Sequence, residues 1–374
     1  MKTKVAYLDY SPHFAGAERA LYTIISHLDR DMFEPLLVFP FPREHHHRYD
    51  ELNCEKIYLS NGLKWWMGSD RWKKPIRGTD FIKRSIFGYR LVKQLLKRGV
   101  NILHVNLLRS DCLMWLWFCR KHGIKVVGHF RSLPMEWVPP VSVQNRCDVI
   151  ISVSNIVREH AMSVYQHPKN EVIYDSISLS HNKYQESTKK KMISSVAALF
   201  PNKGHDNAIM AFDKIASKYP KYELCIVGGG ATEKSSELMR LKAISKSTNC
   251  SERIRFTERQ VSNVEEYYSQ SQLVLALTKE GEAFGLVPFE AALCGTPTIV
   301  PNRGAVTELL EDGVSGIMVE TLDVDAIAER IDWALSHNDK CTEICSKTLE
   351  VIESRLTPEI MDRHIMDVYR NLSK

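Results

Sequence analysis

Two glutamates eight positions apart, Glu282 and Glu290, flank the run Ala283-Phe284-Gly285-Leu286-Val287-Pro288-Phe289. Leu286, Phe289 and Leu293 recur at helical spacing, and Pro288 is tolerated only in a first turn, where a missing N–H costs nothing. A helix is therefore predicted to begin near Gly285. Its free N–H groups and positive dipole end would suit an anion such as a diphosphate, and Gly285 would let a ligand approach the backbone. Eight helical residues would separate the two carboxylates by about 12 Å at roughly 1.5 Å per residue. That is too far for an acid and a base sharing one bond, so the pair reads as gripping the two ends of one elongated ligand. The plainer alternative for a lone E-x7-E is a strand, a turn and a helix carrying two solvated acids.

The elements that would position these groups follow from the apolar pattern. Leu273 to Leu277 reads as a buried parallel strand that ends in a polar turn, which sets Glu282 at a strand's carboxyl end. Short apolar strands alternate with amphipathic helices along the whole chain, the pattern of doubly wound parallel sheets. Strands are predicted at Lys4–Tyr10, Leu36–Phe39, Lys56–Leu59, Ile102–Val105, Lys125–Val127, Val149–Val153 and Val172–Tyr174. A helix after the first strand carries Leu21, Ile24, Ile25 and Leu28 on one face. The pattern lapses in the polar stretch 181–191, read as a linker. It resumes with strands at Met192–Leu199, Tyr222–Val227, Arg253–Phe256, Leu273–Leu277, Thr298–Val300 and Gly316–Val319. The expected organisation is an N-terminal α/β domain over 1–180, the linker, a second over 192–356 and a last helix over 357–374. Strand carboxyl ends would face a cleft between the domains.

The segment from Glu282 to Pro297, with Ala291-Ala292-Leu293-Cys294-Gly295-Thr296-Pro297 behind the second glutamate, resembles the sugar-nucleotide clamp of retaining glycosyltransferases of the glycogen-synthase-like group four family. That resemblance implies a GT-B-like fold, two Rossmann-type doubly wound domains facing a central cleft. It gives Glu282 the hydroxyls of the donor sugar and Glu290 the nucleotide ribose, with Ala283, Phe284, Gly285 and Leu286 lining the donor. Phe14-Ala15-Gly16-Ala17-Glu18-Arg19 is similar to the family's N-terminal Gly-Gly-Ala-Glu-Arg loop, with Ala15 in place of the first glycine and Gly16 where a phosphate or acceptor would approach the backbone. Val126-Val127-Gly128-His129 resembles the strand whose terminal histidine faces the donor, and His129 could hydrogen-bond a sugar hydroxyl or steady charge at the anomeric centre. His104 and His122 read as surface or packing residues.

Val196 to Gly204 looks like the first strand and loop of the family's nucleotide domain. Lys203 and Gly204 match, and Lys203 is the cation chosen to neutralise a diphosphate leaving group. Ala198 stands where an arginine is common, with Arg131 and Arg259 as substitutes for its charge. Leu224 to Gly230 resembles the second strand and its glycine turn, which puts Gly228 and Gly229 beside the nucleotide. Arg303 to Glu308, Asp312 to Gly316 and the Thr357-Pro358-Glu359 helix start match the closing segments, the last helix crossing back onto the first domain.

The remaining composition bounds the reading. At 374 residues, 44% hydrophobic and 25% charged, the chain can build two cores. Its nine cysteines include no C-x2-C pair; Cys341 and Cys345, like Cys112 and Cys119, fall at core spacings, and a reducing cytoplasmic setting is expected. No apolar run is long enough to span a bilayer. Asp323-Val324-Asp325 spells a D-x-D metal motif but precedes a helical pattern, so the acids are expected in a helix's first turn. His45-His46-His47 fans out along an expected loop. No metal or other cofactor is expected. Lys64 to Arg84 carries seven basic residues against two aspartates, a local excess equal to the formal net charge of the whole chain, +5. With Trp65, Trp66 and Trp72 among them, this segment suits an anionic membrane surface, or else tryptophans packed under solvated charges. Nucleic acid is not expected as a partner.

The reading these residues support is a metal-independent retaining glycosyltransferase using a nucleotide-sugar donor, UDP favoured, and a hydroxyl acceptor of a surface polysaccharide or glycolipid. Retention rests on the resemblance; the absence of a second carboxylate near Glu282 in the sequence pattern favours front-face transfer, in a site that domain closure would shield from water. The alternatives are a catalytically weak partner subunit, motivated by Ala198, and a nucleotide-sugar epimerase.

Overall fold

The computed structural model describes residues 2–11, 14, 16–59, 78–108, 113–133, 141–177, 189–229, 236–257, 261 and 263–374. The Trp-rich part of the basic segment, Ala15, Cys112, Gly230, Arg259 and 181–188 of the expected linker lie outside these residues. The chain divides into two compact units, one formed by Met1–Ser176 with Pro358–Lys374, the other by Ile177–Thr357.

The first unit runs β1 (Thr3–Leu8), α1 (Gly16–Ser26), β2 (Phe33–Phe39), β3 (Glu55–Tyr58), α2 (Gly78–Lys97), β4 (Ile102–Val105), α3 (Leu113–Lys121), β5 (Lys125–Phe130), α4 (Val141–Gln144), β6 (Val149–Ser152), α5 (Asn155–Val164) and β7 (Asn170–Val172). All its strands are parallel, in the order β3-β2-β1-β4-β5-β6-β7. Val5, Ala6, Tyr7 and Leu8 are each fully buried although they point alternately to both faces, as a central strand covered by helices on both sides requires. Between β2 and β3, Glu44–Leu52 forms a 3-10 helix where a loop was expected. His46 stacks on Phe39 with ring centroids 3.7 Å apart, and this apolar anchor turns the histidine run into structure.

The second unit runs β8 (Met192–Val196), α6 (His205–Ile215), β9 (Glu223–Val227), α7 (Ser236–Lys246), β10 (Ile254–Phe256), α8 (Glu265–Gln270), β11 (Leu273–Leu275), α9 (Val287–Leu293), β12 (Thr298–Pro301), β13 (Ile317–Val319), α10 (Val324–Ser336) and α11 (Asn338–Arg355). Its parallel sheet has the order β10-β9-β8-β11-β12-β13. In both sheets the order reverses beside the first strand, where β1 and β8 leave gaps between outgoing loops that ligands of such sheets use. Lys189 and Lys190, assigned from sequence to the linker, are anchored on this unit: Lys189 Nζ donates to the Ser271 carbonyl at 2.7 Å and Lys190 N to the Gln270 carbonyl at 2.8 Å.

The last helix, α12 (Pro358–Ser373), belongs to the first unit. Met361, Ile365, Val368 and Tyr369 recur at helical spacing and bury themselves in one cluster with Tyr7, Leu21, Ile24 and Phe33. Asp323 caps α10, its Oδ1 accepting from Asp325 N at 2.8 Å and Ala326 N at 3.4 Å, while Asp325 pairs with Lys214. The D-x-D is therefore a helix start. Among the described residues no helix is long and apolar enough to cross a membrane.

Candidate functional site

In the second unit, glycines bring Lys203 and Glu282 together. Lys203 ends the 3-10 turn Pro201–Lys203, which follows β8, and Gly204 beyond it has φ +72°. A Cβ on Gly204 would stand 2.1 Å from the Leu277 carbonyl oxygen, so only glycine lets this turn lie against the end of β11. Gly304 does the same from the other side. Its φ is +80°, a Cβ there would reach 2.6 Å from Glu282 N, and the next residue, Ala305, donates its N–H to the Glu282 carbonyl at 3.0 Å. Glu282 is thus clamped by its own backbone.

Its carboxylate is oriented as firmly. Oε1 accepts from Lys203 Nζ at 2.6 Å and from Thr278 Oγ1 at 2.5 Å. The Glu282 side chain is 39% exposed and that of Lys203 20%, while Thr278 is buried beneath them. A charged pair this open to water contributes at most about 1 kcal/mol to folding. Two roles given separately to Lys203 and Glu282 therefore meet in one hydrogen-bonded triad, of which Thr278 was missed; Thr278 lies in the turn after Leu277, where a hydroxyl has no distinguishing spacing.

The segment after Glu282 corrects one expectation. Gly285 adopts φ +85°, outside the helical region, and α9 starts two residues later, at Val287. Residues 282–286 are turn, so a helical rise does not measure the separation of the two glutamates. Phe284 is buried and stacks on Phe289 at 5.8 Å, which leaves its backbone, with that of Ala283, Gly285 and Leu286, as the part able to line a ligand. Leu286 supplies the carbonyl that accepts from Phe289 N at 3.1 Å and Glu290 N at 3.0 Å. Glu290 stands in the first turn of α9, its Oε2 accepting from Tyr268 OH at 3.1 Å. Tyr268, fully buried on α8, was not singled out from sequence. At the end of β9, a Cβ on Gly228 would lie 2.0 Å from the Ala197 carbonyl oxygen, and Gly229 accepts from Leu199 N at 3.2 Å. These two glycines pack the β8 and β9 loops against each other.

The first unit holds a different kind of site. Gly16 opens α1, and Glu18 within it is buried near Asp9, at the end of β1. Burial, and then Glu18, raise the Asp9 carboxyl above the usual range; Tyr49 OH donates to its Oδ2 at 3.0 Å. His129, at the end of β5, is 1% exposed. Its Nδ1 lies 3.2 Å from His104 Nε2 and 3.2 Å from Arg131 Nη2. His104, read from sequence as a packing or surface residue, is completely buried and contacts Tyr369 OH through Nδ1 at 2.6 Å. A periodicity reading could not find this, because an apolar-flanked histidine in a strand looks like core. Arg131 is engaged on three sides, by His129, by Asn106 Oδ1 at 3.0 Å and by Asp175. Its charge is answered by Asp175 inside this unit. Burial, then Arg131 and His104, hold the His129 imidazolium well out of reach. His104 is pushed down to about 3 by burial and then by Arg131.

Comparison with known proteins places the two units in one group. The description "Glycosyltransferase Family 4" matches residues 14–181, and "Glycosyl transferases group 1" matches residues 176–349. The chain belongs to the family 4 type of glycosyltransferases. Among curated relatives, the D-inositol 3-phosphate glycosyltransferase of Acidothermus cellulolyticus is 30% identical over 34% of this chain and 30% of its own. The capsular polysaccharide biosynthesis glycosyltransferase CapM of Staphylococcus aureus is 24% identical over 60% of this chain and 59% of its own. The chain thus spans less than two thirds of the length of the curated relatives it matches. Solved structures cover it nearly end to end: a glycosyltransferase from Rickettsia africae at TM-score 0.82 and 17% identity (100% of this chain, 99% of that one), and Anabaena HepE in complex with UDP and glucose at 0.81 and 16% (99% and 100%). At these identities the likeness shows the fold, two Rossmann-type parallel-sheet units of the GT-B class.

Proposed function

We propose that this glycosyltransferase moves a hexose from a nucleotide-sugar donor to a hydroxyl acceptor with retention of anomeric configuration, in the assembly of a surface polysaccharide or glycolipid. The observation that carries the proposal is the Lys203–Glu282–Thr278 triad, locked by Gly204 and Gly304. Glu282 Oε1 is held as a hydrogen-bond acceptor, the state needed to grip sugar hydroxyls. Lys203, one weak exposed pair away from release, can turn its ammonium to the diphosphate. As the bond between the anomeric carbon and the phosphate oxygen breaks, the acceptor oxygen bonds to that carbon from the same face, and its proton passes to the departing diphosphate oxygen. Lys203 stabilises the charge that develops there, and His129 orients the sugar.

UDP is the favoured carrier, supported by the fold-level neighbour HepE, whose structure holds UDP and glucose. A role in polysaccharide assembly is supported by the match to CapM. The reaction needs no metal in this scheme because Lys203 supplies the cation; turnover that stops with a chelator and returns with Mg²⁺ or Mn²⁺ would overturn that part. The site of action proposed is the cytoplasmic face of a membrane. Later in sequence than the tryptophans of the basic segment, α2 exposes Ile82, Ile86 and Tyr89 at helical spacing, with Arg90 and Lys93 following. Co-sedimentation with anionic but not zwitterionic vesicles is expected, and sedimentation with neither would remove the membrane from the proposal.

The donor assignment is tested by thermal shift with UDP, GDP, ADP and their common sugar conjugates, on wild type and on Glu290→Ala. A bound nucleotide raises the melting temperature by mass action. One nucleotide should do so in wild type and lose its effect in the variant. No rise with any of them would favour a non-catalytic partner subunit.

A further inference from the structure

We propose that Tyr369 on α12 and His104 on β4 form a relay that sets the tautomer of His129, so that His129 meets its ligand as a neutral Nε2–H donor to an oxygen atom. The inference rests on the reading that His129 touches the sugar, and adds which nitrogen does so and what fixes it.

Strand register assembles the relay. Tyr7 of β1 is paired with His104 of β4, and His104 with Val127 of β5. His129, two residues beyond Val127, returns to the same sheet face, one step diagonal from His104. Tyr369 reaches that face from α12, its ring edge-on to His104 at 5.9 Å and to Tyr7 at 6.3 Å. The C-terminal helix is therefore part of the histidine's surroundings, although its sequence distance from His129 hides this.

Proton positions follow from the contacts. An arginine guanidinium only donates, so the Nη2 of Arg131 facing His129 Nδ1 at 3.2 Å requires Nδ1 to accept. A proton on Nδ1 would face the guanidinium N–H across the same gap. His104 Nε2, also 3.2 Å from Nδ1, must then be the donor of that contact. With its proton on Nε2, His104 accepts at Nδ1 from Tyr369 OH, 2.6 Å away. The chain of donation runs Tyr369 to His104 to His129, and the remaining proton of His129 sits on Nε2. That nitrogen is buried and has no hydrogen-bond partner among the described residues. A buried unpaired donor costs about 1–3 kcal/mol, which an acceptor oxygen of a ligand, such as a sugar hydroxyl, would recover. The low proton affinity of both rings keeps the relay neutral at ordinary pH.

The test is a histidine-selective ¹⁵N NMR correlation of the full chain at pH 7, which separates the two neutral tautomers from imidazolium, with His129→Gln identifying the His129 resonances. The relay requires protonated Nε2 and bare Nδ1 on His129 and on His104; Nδ1–H or imidazolium on His129 overturns it. In Tyr369→Phe, His104 should lose its single tautomer, and turnover should fall several-fold in kcat with KM for the donor little changed. In His104→Gln, whose amide can still donate, turnover should exceed that of His104→Leu. Equal turnover in His104→Gln and His104→Leu, melting as wild type, would also overturn the relay. The expected tautomer in a chain that consumes no donor would support the relay while counting against the transfer reading. Active enzyme with His129 as Nδ1–H would sink the relay and leave transfer standing.

Discussion

The polar groups of the two units are built to opposite plans. In the first unit His104, His129, Arg131 and Asp175 have buried side chains linked in one chain of contacts, with His129 Nε2 left without a partner among the described residues. In the second unit Lys203 and Glu282 sit at loop ends, paired but substantially exposed, with rigidity supplied by glycines in the backbone beneath them. The first arrangement fixes protonation states and tolerates little change. The second holds geometry while leaving charge free to be redirected to a ligand. A transferase needs both, one to present a neutral donor of fixed direction and one to answer a charge that appears only as the bond breaks.

The largest effect is expected at Glu282. Glu282→Ala should lower kcat/KM by roughly 10²-fold or more, since misplacing a substrate by an ångström costs about that much. The melting temperature should change little, because the pair it removes is partly open to water. A large stability loss with modest kinetic loss would make Glu282 a structural residue. Next comes Gly304→Ala. A backbone at φ +80°, ψ −170° is a region essentially reserved for glycine and costs a side-chain-bearing residue about 1–3 kcal/mol, and a Cβ 2.6 Å from Glu282 N must also displace the loop. Urea unfolding should show at least that loss, together with weaker donor turnover; an unchanged midpoint would mean the clamp on Glu282 is soft.

The smallest effect expected concerns pH and the first unit. Asp362 on α12 is 3% exposed, and burial, then Glu359, raise its carboxyl to about 8, against about 3.9 when unfolded. The folded chain keeps a proton that the unfolded chain releases, so this contribution to stability is full below about pH 4 and is lost as pH rises through 8. The sign is opposite for His104: unfolded, it binds a proton below about 6.5, folded only below about 3, so its burial costs stability as pH falls between those values. Asp362→Asn should therefore melt higher than wild type at pH 9, by roughly a few degrees, with the gain shrinking toward pH 4. A gain that is the same at both pH values would show that titration of Asp362 does not couple to folding.

Much of the fold was legible because a parallel strand covered on both faces writes an unbroken apolar run. Each run, from Val5-Ala6-Tyr7-Leu8 to Ile317-Met318-Val319, became a strand with ends shifted by a few residues. The pairing of Lys203 with Glu282 was not legible, since 79 positions separate them and the link is the close approach that Gly204 and Gly304 permit. The start of α9 was misplaced for a related reason: the glycine that marks the turn takes a left-handed conformation that apolar spacing does not register. His104 and Tyr369 were hidden more deeply. A buried histidine and a helix tyrosine share the spacing of core residues, and only strand register and the return of the last helix bring them to His129.

Donor chemistry is proposed to take place at the Lys203–Glu282 pair. Its most direct test follows consumption of the donor identified by thermal shift, with and without acceptor, by NMR of the anomeric proton, comparing wild type with Lys203→Met at matched folded concentration. Wild type should consume the donor, and any glycoside formed should keep its anomeric configuration, while the variant should bind nucleotide more weakly and turn over roughly 10²-fold more slowly. Equal turnover by the variant would contradict this placement of the chemistry.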